Sequence, residues 1–155
     1  MGSGSGTDQT NQYEKLLELF GATTIMVIGL MTLVIAILVI VAMWKIFKKA
    51  GEPGWKAIIP IYNNYILFKI VWDTKFFWIS LGLGLLSSII TLLPIIGWLS
   101  YLISIATLII EIMLLNKLSK SFGHGTGFTI GLLFLPYIFF MILGFGSDEF
   151  SPVNE

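Results

Sequence analysis

The stretch GATTIMVIGLMTLVIAILVIVAMW, residues 21–44, contains no charged side chain over 24 consecutive positions. A helix of about 20 apolar residues is long enough to cross the hydrocarbon core of a bilayer. Apolar residues make up 56% of the whole chain and charged residues 12%, whereas soluble domains carry roughly 45–50% and about 25%. The sequence therefore predicts an integral membrane protein whose first transmembrane span is residues 21–44.

A second uncharged run, residues 76–110, is 35 positions long. It is too long for one helix that crosses the bilayer once. Pro94 and Gly97, in the sequence LLPIIGW, indicate a turn inside it, because both residue types interrupt helices. The run therefore predicts two spans, at about 76–93 and 98–115.

The last apolar run predicts a fourth span at residues 128–145, in which Pro136 is tolerated if a neighbouring helix satisfies the freed carbonyl group. Residues 1–12 are predicted to be a tag and a disordered N-terminus, because they begin with the linker-like sequence MGSGSG. Residues 148–155 are predicted to form an acidic C-terminal tail. The expected fold is therefore an all-α membrane domain, residues 13–147, with four transmembrane helices.

All nine basic residues are lysines, and their distribution predicts the orientation of the chain. Cytoplasmic loops of membrane proteins carry an excess of Lys and Arg. Only Lys15 lies outside the two loops that join spans one and two and spans three and four. The remaining lysines are Lys45, Lys48, Lys49, Lys56, Lys69 and Lys75 in the first loop and Lys117 and Lys120 in the second. Both loops are therefore predicted to face the cytoplasm, with both termini outside.

The segment between the first two spans, residues 53–72, is predicted to be a broken helix that is either interfacial or re-entrant. Its apolar part is about twelve residues long, and a helix of that length reaches only about 18 Å. Pro60 interrupts it, and the side chain of Asn63 either caps the break or lines a polar cavity for a ligand or ion. Aromatic side chains suited to the headgroup region recur along the segment, at Trp55, Tyr62, Tyr65 and Trp72.

Two stretches of the sequence resemble a known family. They are FKKAGEPGWKAIIPIYNNYILFKI, residues 47–70, and LSKSFGHGTGFTIGLLFLPYIFFMILGFG, residues 118–146. Their motifs, KAGxPGW…IPIYN and FGxGxGF…LPxIF…LGFG, are similar to those of an uncharacterised family of small bacterial polytopic membrane proteins, a domain of unknown function. The resemblance covers residues 46–150. It implies a four-span bundle in a bacterial cytoplasmic membrane and supplies no established activity.

Small and hydroxyl side chains form a one-sided stripe in each of the second and third spans. The positions are three or four residues apart, so each stripe lies on one helix face. The stripes mirror each other about the turn, and an antiparallel hairpin is therefore predicted to bring them together as a packing seam, with hydroxyl groups hydrogen-bonded across it. A polar path along the same seam is the alternative. The seam residues are Ser80, Gly84, Ser87, Thr91, Gly97, Ser100, Ser104 and Thr107.

Glu111 is the only acidic residue inside a predicted span. A carboxylate in the hydrocarbon region is costly, and such residues face a bundle interior or a water-filled cavity. The mirrored spacing puts Ser80 opposite it as a hydrogen-bond donor. With Asn63, Glu111 forms the candidate intramembrane polar site. It serves as a structural hydrogen-bonding group, as a carrier of protons or cations, or as a contact with a partner helix.

Signals for catalysis are weak in this sequence. The chain has no cysteine and a single histidine, His124, which argues against thiolate or histidine-based metal sites. The glycine-rich stretch FGHGTG lacks the Lys-Ser or Lys-Thr ending of a phosphate-binding loop, and no predicted strand precedes it. No catalytic residue, metal or cofactor is therefore predicted, and the protein is not expected to be an enzyme or to bind nucleic acid.

Two functions are compatible with these patterns. The first is a scaffold or accessory subunit of a membrane complex, because the loops are short and carry no catalytic groups. The alternative is a small transporter or channel-forming oligomer that uses the intramembrane carboxylate. In either case the expected partners are the bilayer itself, anionic lipids at the cytoplasmic lysines, and a membrane protein or further copies of this chain.

Overall fold

The computed structural model describes residues 4–93 and 96–153, with side chains described from residue 10 onward. Over these residues the protein is all-helical, with turns and short connections between the helices, which confirms the predicted α class. The elements in chain order are α1 (Gly4–Lys49), the 3₁₀ helix η1 (Gly54–Ile58), α2 (Pro60–Val71), α3 (Thr74–Thr91), α4 (Leu99–Ser121), α5 (Thr126–Phe134) and α6 (Pro136–Phe145).

Three of these helices are long and apolar enough to cross a membrane. They are the Thr10–Lys49 part of α1, together with α3 and α4, and they correspond to the first three predicted spans. Helix α1 already begins at Gly4, so residues 4–12, for which the composition predicted disorder, are helical. Extending a helix is much easier than nucleating one, because each added residue contributes one more backbone hydrogen bond.

Helices α3 and α4 are neighbours joined by a short connection. Helix α3 begins where the side chain of Asp73 accepts a hydrogen bond from the backbone N–H of Lys75, at 2.8 Å. This contact satisfies one of the free amides of the first turn. Gly97 lies in the connection between the two helices, whereas Pro94, also predicted to make this turn, lies outside the described residues.

Residues 128–145, which were predicted as a fourth span, do not form one helix. The chain forms two short helices, α5 and α6, separated at Leu135, whose φ of −130° and ψ of 54° are not helical. Pro136 has no backbone N–H and disfavours a helical conformation in the residue before it. The Phe139 ring lies directly against Gly131. Helix α6 therefore folds back along α5.

The end of α6 returns to the lysine-rich end of α1. The ammonium group of Lys49 donates hydrogen bonds to the backbone carbonyls of Leu143 and Gly146, at 2.6 and 2.9 Å. Gly144 lies so close to Ala42 that a β-carbon on it would stand 2.6 Å from the Ala42 carbonyl oxygen. Four antiparallel spans would have put these two helix ends on opposite sides. The α5–α6 hairpin instead begins and ends at the lysine-rich end of the helices.

The segment before α3 forms a second hairpin of this kind, the η1–α2 hairpin. The chain passes through η1 to Pro60, the first residue of α2, and α2 then runs back beside α3. Proline is favourable at that position because the first N–H of a helix has no partner within it. The Phe77 ring contacts those of Tyr65 and Phe68, at centroid distances of 5.4 and 6.2 Å. With 12 residues, α2 is about 18 Å long and too short to cross a bilayer.

The buried core lies at the lysine-rich end of the helices. Two compact units are distinguished along the chain, residues 1–37, of which residues 4–37 belong to α1, and residues 38–155, which contain the core. Far from this end, α3 and α4 expose apolar side chains such as Leu85 and Leu102. The most deeply buried apolar side chains of the core come from α1, α2, α4, α5 and α6, and Phe77 of α3 packs with them. They are Ile46, Phe47, Ile66, Leu118, Leu132 and Leu143.

Candidate functional site

A cavity of about 320 Å³ lies between α2, α3 and α4. On each helix the lining residues recur every three or four positions, in places as adjacent pairs, so each helix presents one face to the cavity. Most of the lining is apolar and includes Phe68, Phe77, Leu81, Leu85, Ile110 and Leu114. The charged and polar side chains in the lining are Asn64, Ser80, Thr107 and Glu111. The cavity therefore combines one carboxyl group and a few hydrogen-bonding groups with apolar walls.

Four residues of the mirrored pattern meet at this cavity. Ser80 and Gly84 come from α3, and Thr107 and Glu111 come from α4. These are the pairs that the sequence spacing puts opposite each other, 84 with 107 and 80 with 111. At this depth the two stripes border an open volume, where the sequence had predicted close packing.

The sequence predicted hydrogen bonds from the seam hydroxyl groups across the α3–α4 hairpin. Among the described residues these groups make no such bond. Five of the six seam hydroxyl groups donate instead to backbone carbonyls three or four residues earlier in the described part of the chain. Such a carbonyl lies within reach and keeps a free lone pair, whereas a partner on another helix requires close backbone approach. The bonds are Ser80 to Phe77 (3.4 Å), Thr91 to Ser87 (2.8 Å), Ser100 to Gly97 (2.6 Å), Ser104 to Ser100 (2.8 Å) and Thr107 to Ile103 (3.0 Å).

Asn63 and Asn64 have different surroundings. The Nδ2 of Asn63 donates to the carbonyl oxygen of Ala57, at 3.3 Å, across the break before α2. Its Oδ1 is buried and has no hydrogen-bond partner among the residues that the structure describes. Asn64, not Asn63, lines the cavity. The signal that would have identified Asn64 is its spacing from Ile61 and Phe68, which lie on the same face of α2 and line the same cavity.

The aromatic residues predicted for the membrane interface lie along the η1–α2 hairpin. Trp55 and Tyr62 stack with 6.2 Å between ring centroids, and Tyr62 and Tyr65 stack at 5.8 Å. Trp72, which ends α2, stacks on Phe76 of α3 at 3.7 Å. Trp55 is half exposed, at 50%. The rings therefore form a continuous apolar surface with polar edges on this hairpin, which is the chemistry of the headgroup region.

Glu111 has no ion-pair or hydrogen-bond partner within residues 4–93 and 96–153. Its side chain is exposed at the cavity. Ser80, the donor expected from the sequence, bonds to the carbonyl of Phe77 instead. The same described residues hold no group of three or more His, Cys, Asp or Glu side chains that could ligate a metal. The arrangement can accept a proton or a single positive group from a molecule inside the cavity.

At the lysine-rich end, Glu52 links the two arms of the η1–α2 hairpin. Its carboxylate oxygens accept hydrogen bonds from the ammonium groups of Lys56, at 2.6 Å, and Lys69, at 2.7 Å. These bonds, with that from Lys56 the stronger cause, lower the pKa of Glu52 below its ordinary value. The side chains of Glu52 and Lys56 are only 15% and 14% exposed. Glu52 could not be identified from the sequence, because nothing local shows that two lysines converge on it.

A second set of contacts holds the C-terminal tail against the end of α4. The ring of His124 lies 3.1 Å from the carboxylate of Asp148 and stacks on Phe128 at 4.1 Å. The backbone N–H of Ser151 donates to the carbonyl of Ser121, at 2.7 Å. Sequence reasoning missed this cluster, because a single predicted span between His124 and Asp148 separates them by the thickness of the bilayer.

A family model matches residues 55–151, which is more than half of the chain. The chain belongs to the DUF5684 family. DUF5684 is a family of unknown function, so the expectation of an uncharacterised family is confirmed. The DUF5684 region begins in η1 and contains the cavity and the α5–α6 hairpin, whereas α1 precedes it. No curated protein and no solved structure matches the sequence.

Proposed function

We propose that this DUF5684 protein is a non-enzymatic integral membrane protein that serves as a scaffold or accessory subunit of a membrane complex. The observation that supports this role is the surface of α1, whose side chains are exposed from residue 10 to residue 38. Helices associate in membranes where small residues allow close approach. Gly21 and Gly29 supply such positions, since a β-carbon on either would meet nothing within 4 Å. In this role, α1 is the element that binds the partner.

We further propose that three helices cross a bacterial cytoplasmic membrane and that the η1–α2 and α5–α6 hairpins enter it from the cytoplasmic side. The excess of lysine at that end supports the orientation. The hydrogen bonds from Lys49 to the carbonyls at the end of α6 support the return of the chain to that end. In this topology the N-terminus is outside and the C-terminus is cytoplasmic, in place of both termini outside.

The lysines of the cytoplasmic end also give the protein a contact with anionic lipids. A basic side chain near an anionic surface contributes about 1 kcal/mol to membrane binding. Those whose side chains are exposed are available to headgroup phosphates, namely Lys45, Lys48, Lys69, Lys75 and Lys120. This contact orients the protein and does not depend on which partner α1 binds.

The scaffold role is tested by isolating the protein from its membrane in mild detergent and measuring the mass of the complex by native mass spectrometry. We expect a stoichiometric partner protein or a defined number of copies. Gly29→Trp should release the partner, because it fills the close-approach surface of α1. Gly82→Trp is the matched control, since Gly82 of α3 is also exposed with open space around it. A monomer without partners in the wild type would contradict the proposal.

A second function, transport or channel formation by an oligomer, is supported by the cavity and by the carboxyl group of Glu111 inside it. Ionisable groups at membrane depth commonly carry protons or bind ions. The test is proton flux into liposomes that contain the purified protein, with Glu111→Gln as the inactive variant. Ser104→Ala, on the same helix but outside the cavity, is the control. Equal flux in wild type and Glu111→Gln would reject this function.

A further inference from the structure

The carboxyl group of Glu111 faces the cavity without a cation supplied by the surrounding helices. A charge in such an environment is normally paired. Each of these three helices carries a lysine that interacts elsewhere: Lys69 of α2 with Glu52 at 2.7 Å, Lys75 of α3 with Asp73 at 3.5 Å, and Lys117 of α4 with the ring of Trp72 at 5.5 Å. A positive group that pairs with the ionised carboxylate would therefore come from a molecule that enters the cavity.

The volume and walls of the cavity limit what that molecule can be. A volume of about 320 Å³ falls at the small end of ligand pockets and holds about ten water-sized groups. The apolar walls, among them Leu81, Leu85 and Leu114, favour a molecule with an apolar body. A hydrated inorganic cation would leave these walls in contact with water, which is unfavourable.

We propose that the cavity binds a lipophilic amine in its protonated form. The ammonium group pairs with the carboxylate of Glu111 and donates hydrogen bonds to the side-chain oxygen atoms of Asn64 and Thr107. The apolar body of the amine lies against the leucine side chains of α3 and α4. This inference rests on the second function proposed above, the use of the cavity in transport, and it names the class of ligand.

The depth of Glu111 distinguishes a free amine from the ammonium group of a phospholipid. Glu111 lies ten residues before the last residue of α4, Ser121, which is about 15 Å along the helix axis. On α3, Ser80 lies six residues beyond Thr74, which is about 9 Å. A phospholipid ammonium group stays at headgroup depth, at the ends of these helices, whereas a single amphipathic amine can partition to the depth of Glu111.

The experiment measures binding of radiolabelled phenylbutylamine to the purified, detergent-solubilised full-length protein by scintillation proximity, so that partition into a bilayer does not contribute. We expect saturable binding in the wild type. Glu111→Gln should weaken it by about tenfold, because a charge-assisted hydrogen bond is lost. Thr107→Val should weaken it by about threefold. Ser104→Ala should bind as the wild type does.

Competition and folding controls make each outcome decisive. Phenylbutanol, which has the same apolar body and no charge, should not displace the amine. Absence of saturable binding, equal binding by Glu111→Gln, or displacement by phenylbutanol would overturn the proposal, and displacement by phosphatidylethanolamine would assign the cavity to a lipid headgroup instead. If Glu111→Gln does not elute as a folded protein in gel filtration, Asn64→Leu on α2 replaces it, with an expected loss of about threefold.

The binding and flux results can fail separately. Amine binding without proton flux would retain the ligand site and reject transport. Proton flux that depends on Glu111 without amine binding would retain transport and reject this class of ligand.

Discussion

Glu52 shows how a single side chain ties the stability of the η1–α2 hairpin to pH. The two lysine ammonium groups stabilise its ionised form, which lowers its pKa in the folded protein. A carboxyl group with a lowered folded-state pKa stabilises the fold above its unfolded pKa, and that stabilisation is lost as the pH falls through the folded-state pKa. With an ordinary value of 4.5, the stabilisation is complete at neutral pH and declines below about pH 4.5.

We therefore predict that Glu52→Gln lowers the free energy of unfolding by about 1–2 kcal/mol at neutral pH, which is the range for a partly buried charged hydrogen bond. The difference from the wild type should shrink as the pH falls below about 4.5. Thermal unfolding in detergent at several pH values measures both effects. Glu149→Gln, an exposed acidic residue of the tail, should change neither. A constant difference at all pH values would show that the charge of Glu52 is not the cause.

At Gly144 the α5–α6 hairpin lies directly against the backbone of α1. A β-carbon there would stand 2.6 Å from the carbonyl oxygen and 2.7 Å from the Cα of Ala42. Backbone atoms cannot move aside as a flexible side chain can, so Gly144→Ala should cost about 1–3 kcal/mol of stability. Gly127→Ala in α5, where nothing lies within 4 Å, is the matched control. Equal unfolding midpoints for the two variants would refute this close approach.

Sequence reasoning identified Glu111 at this scale but selected Asn63 where the cavity has Asn64. Glu111 is recognisable because a carboxyl group within an apolar run has no local explanation. Neighbouring residues of a helix point about 100° apart, so the choice between Asn63 and Asn64 depends on the rotation of α2 about its axis. That rotation is set by packing, for example of Phe68 on Phe77, which a single sequence does not reveal.

At the scale of elements, the sequence predicted the long helices and missed the break in the last apolar run. Length and hydropathy determine whether a segment can cross a bilayer, and α1, α3 and α4 satisfy both. The run 128–145 also has sufficient length, but the chain breaks at Leu135 before Pro136. The contact between Phe139 and Gly131 stabilises the fold-back. Because this contact is tertiary, counting apolar residues could not predict it.

The two topologies differ in the position of the C-terminal tail, which cysteine labelling can measure. The chain has no cysteine, so a single introduced cysteine reports only its own position. We predict that Ser151→Cys and Lys48→Cys are both protected from a membrane-impermeant maleimide in intact cells, whereas Tyr13→Cys is labelled. All three should react after permeabilisation. Labelling of Ser151→Cys with protection of Lys48→Cys would contradict this topology and support the four-span arrangement.

At the scale of the whole molecule, composition was enough to predict an all-helical chain whose long helices are apolar enough to cross a membrane. It did not predict that the core would lie at the lysine-rich end. That position follows from the two hairpins, which bring side chains such as Ile66 and Leu143 against Phe47 of α1 and Leu118 of α4. Both hairpins contain a proline that interrupts a helix, but the contacts that pack each hairpin into the core are tertiary, and the sequence does not reveal them.

The two hairpins of residues 38–155 have a mechanical consequence for the surrounding bilayer. Both of them, and the buried core, lie at one end of the helices, while only α3 and α4 of this part of the chain continue beyond it. In the proposed topology the protein displaces more lipid from the cytoplasmic leaflet than from the outer one. Such an imbalance of area produces bending stress in a flat bilayer. We therefore expect the protein to concentrate where the cytoplasmic face of the membrane is convex, because the cytoplasmic leaflet is the expanded one there.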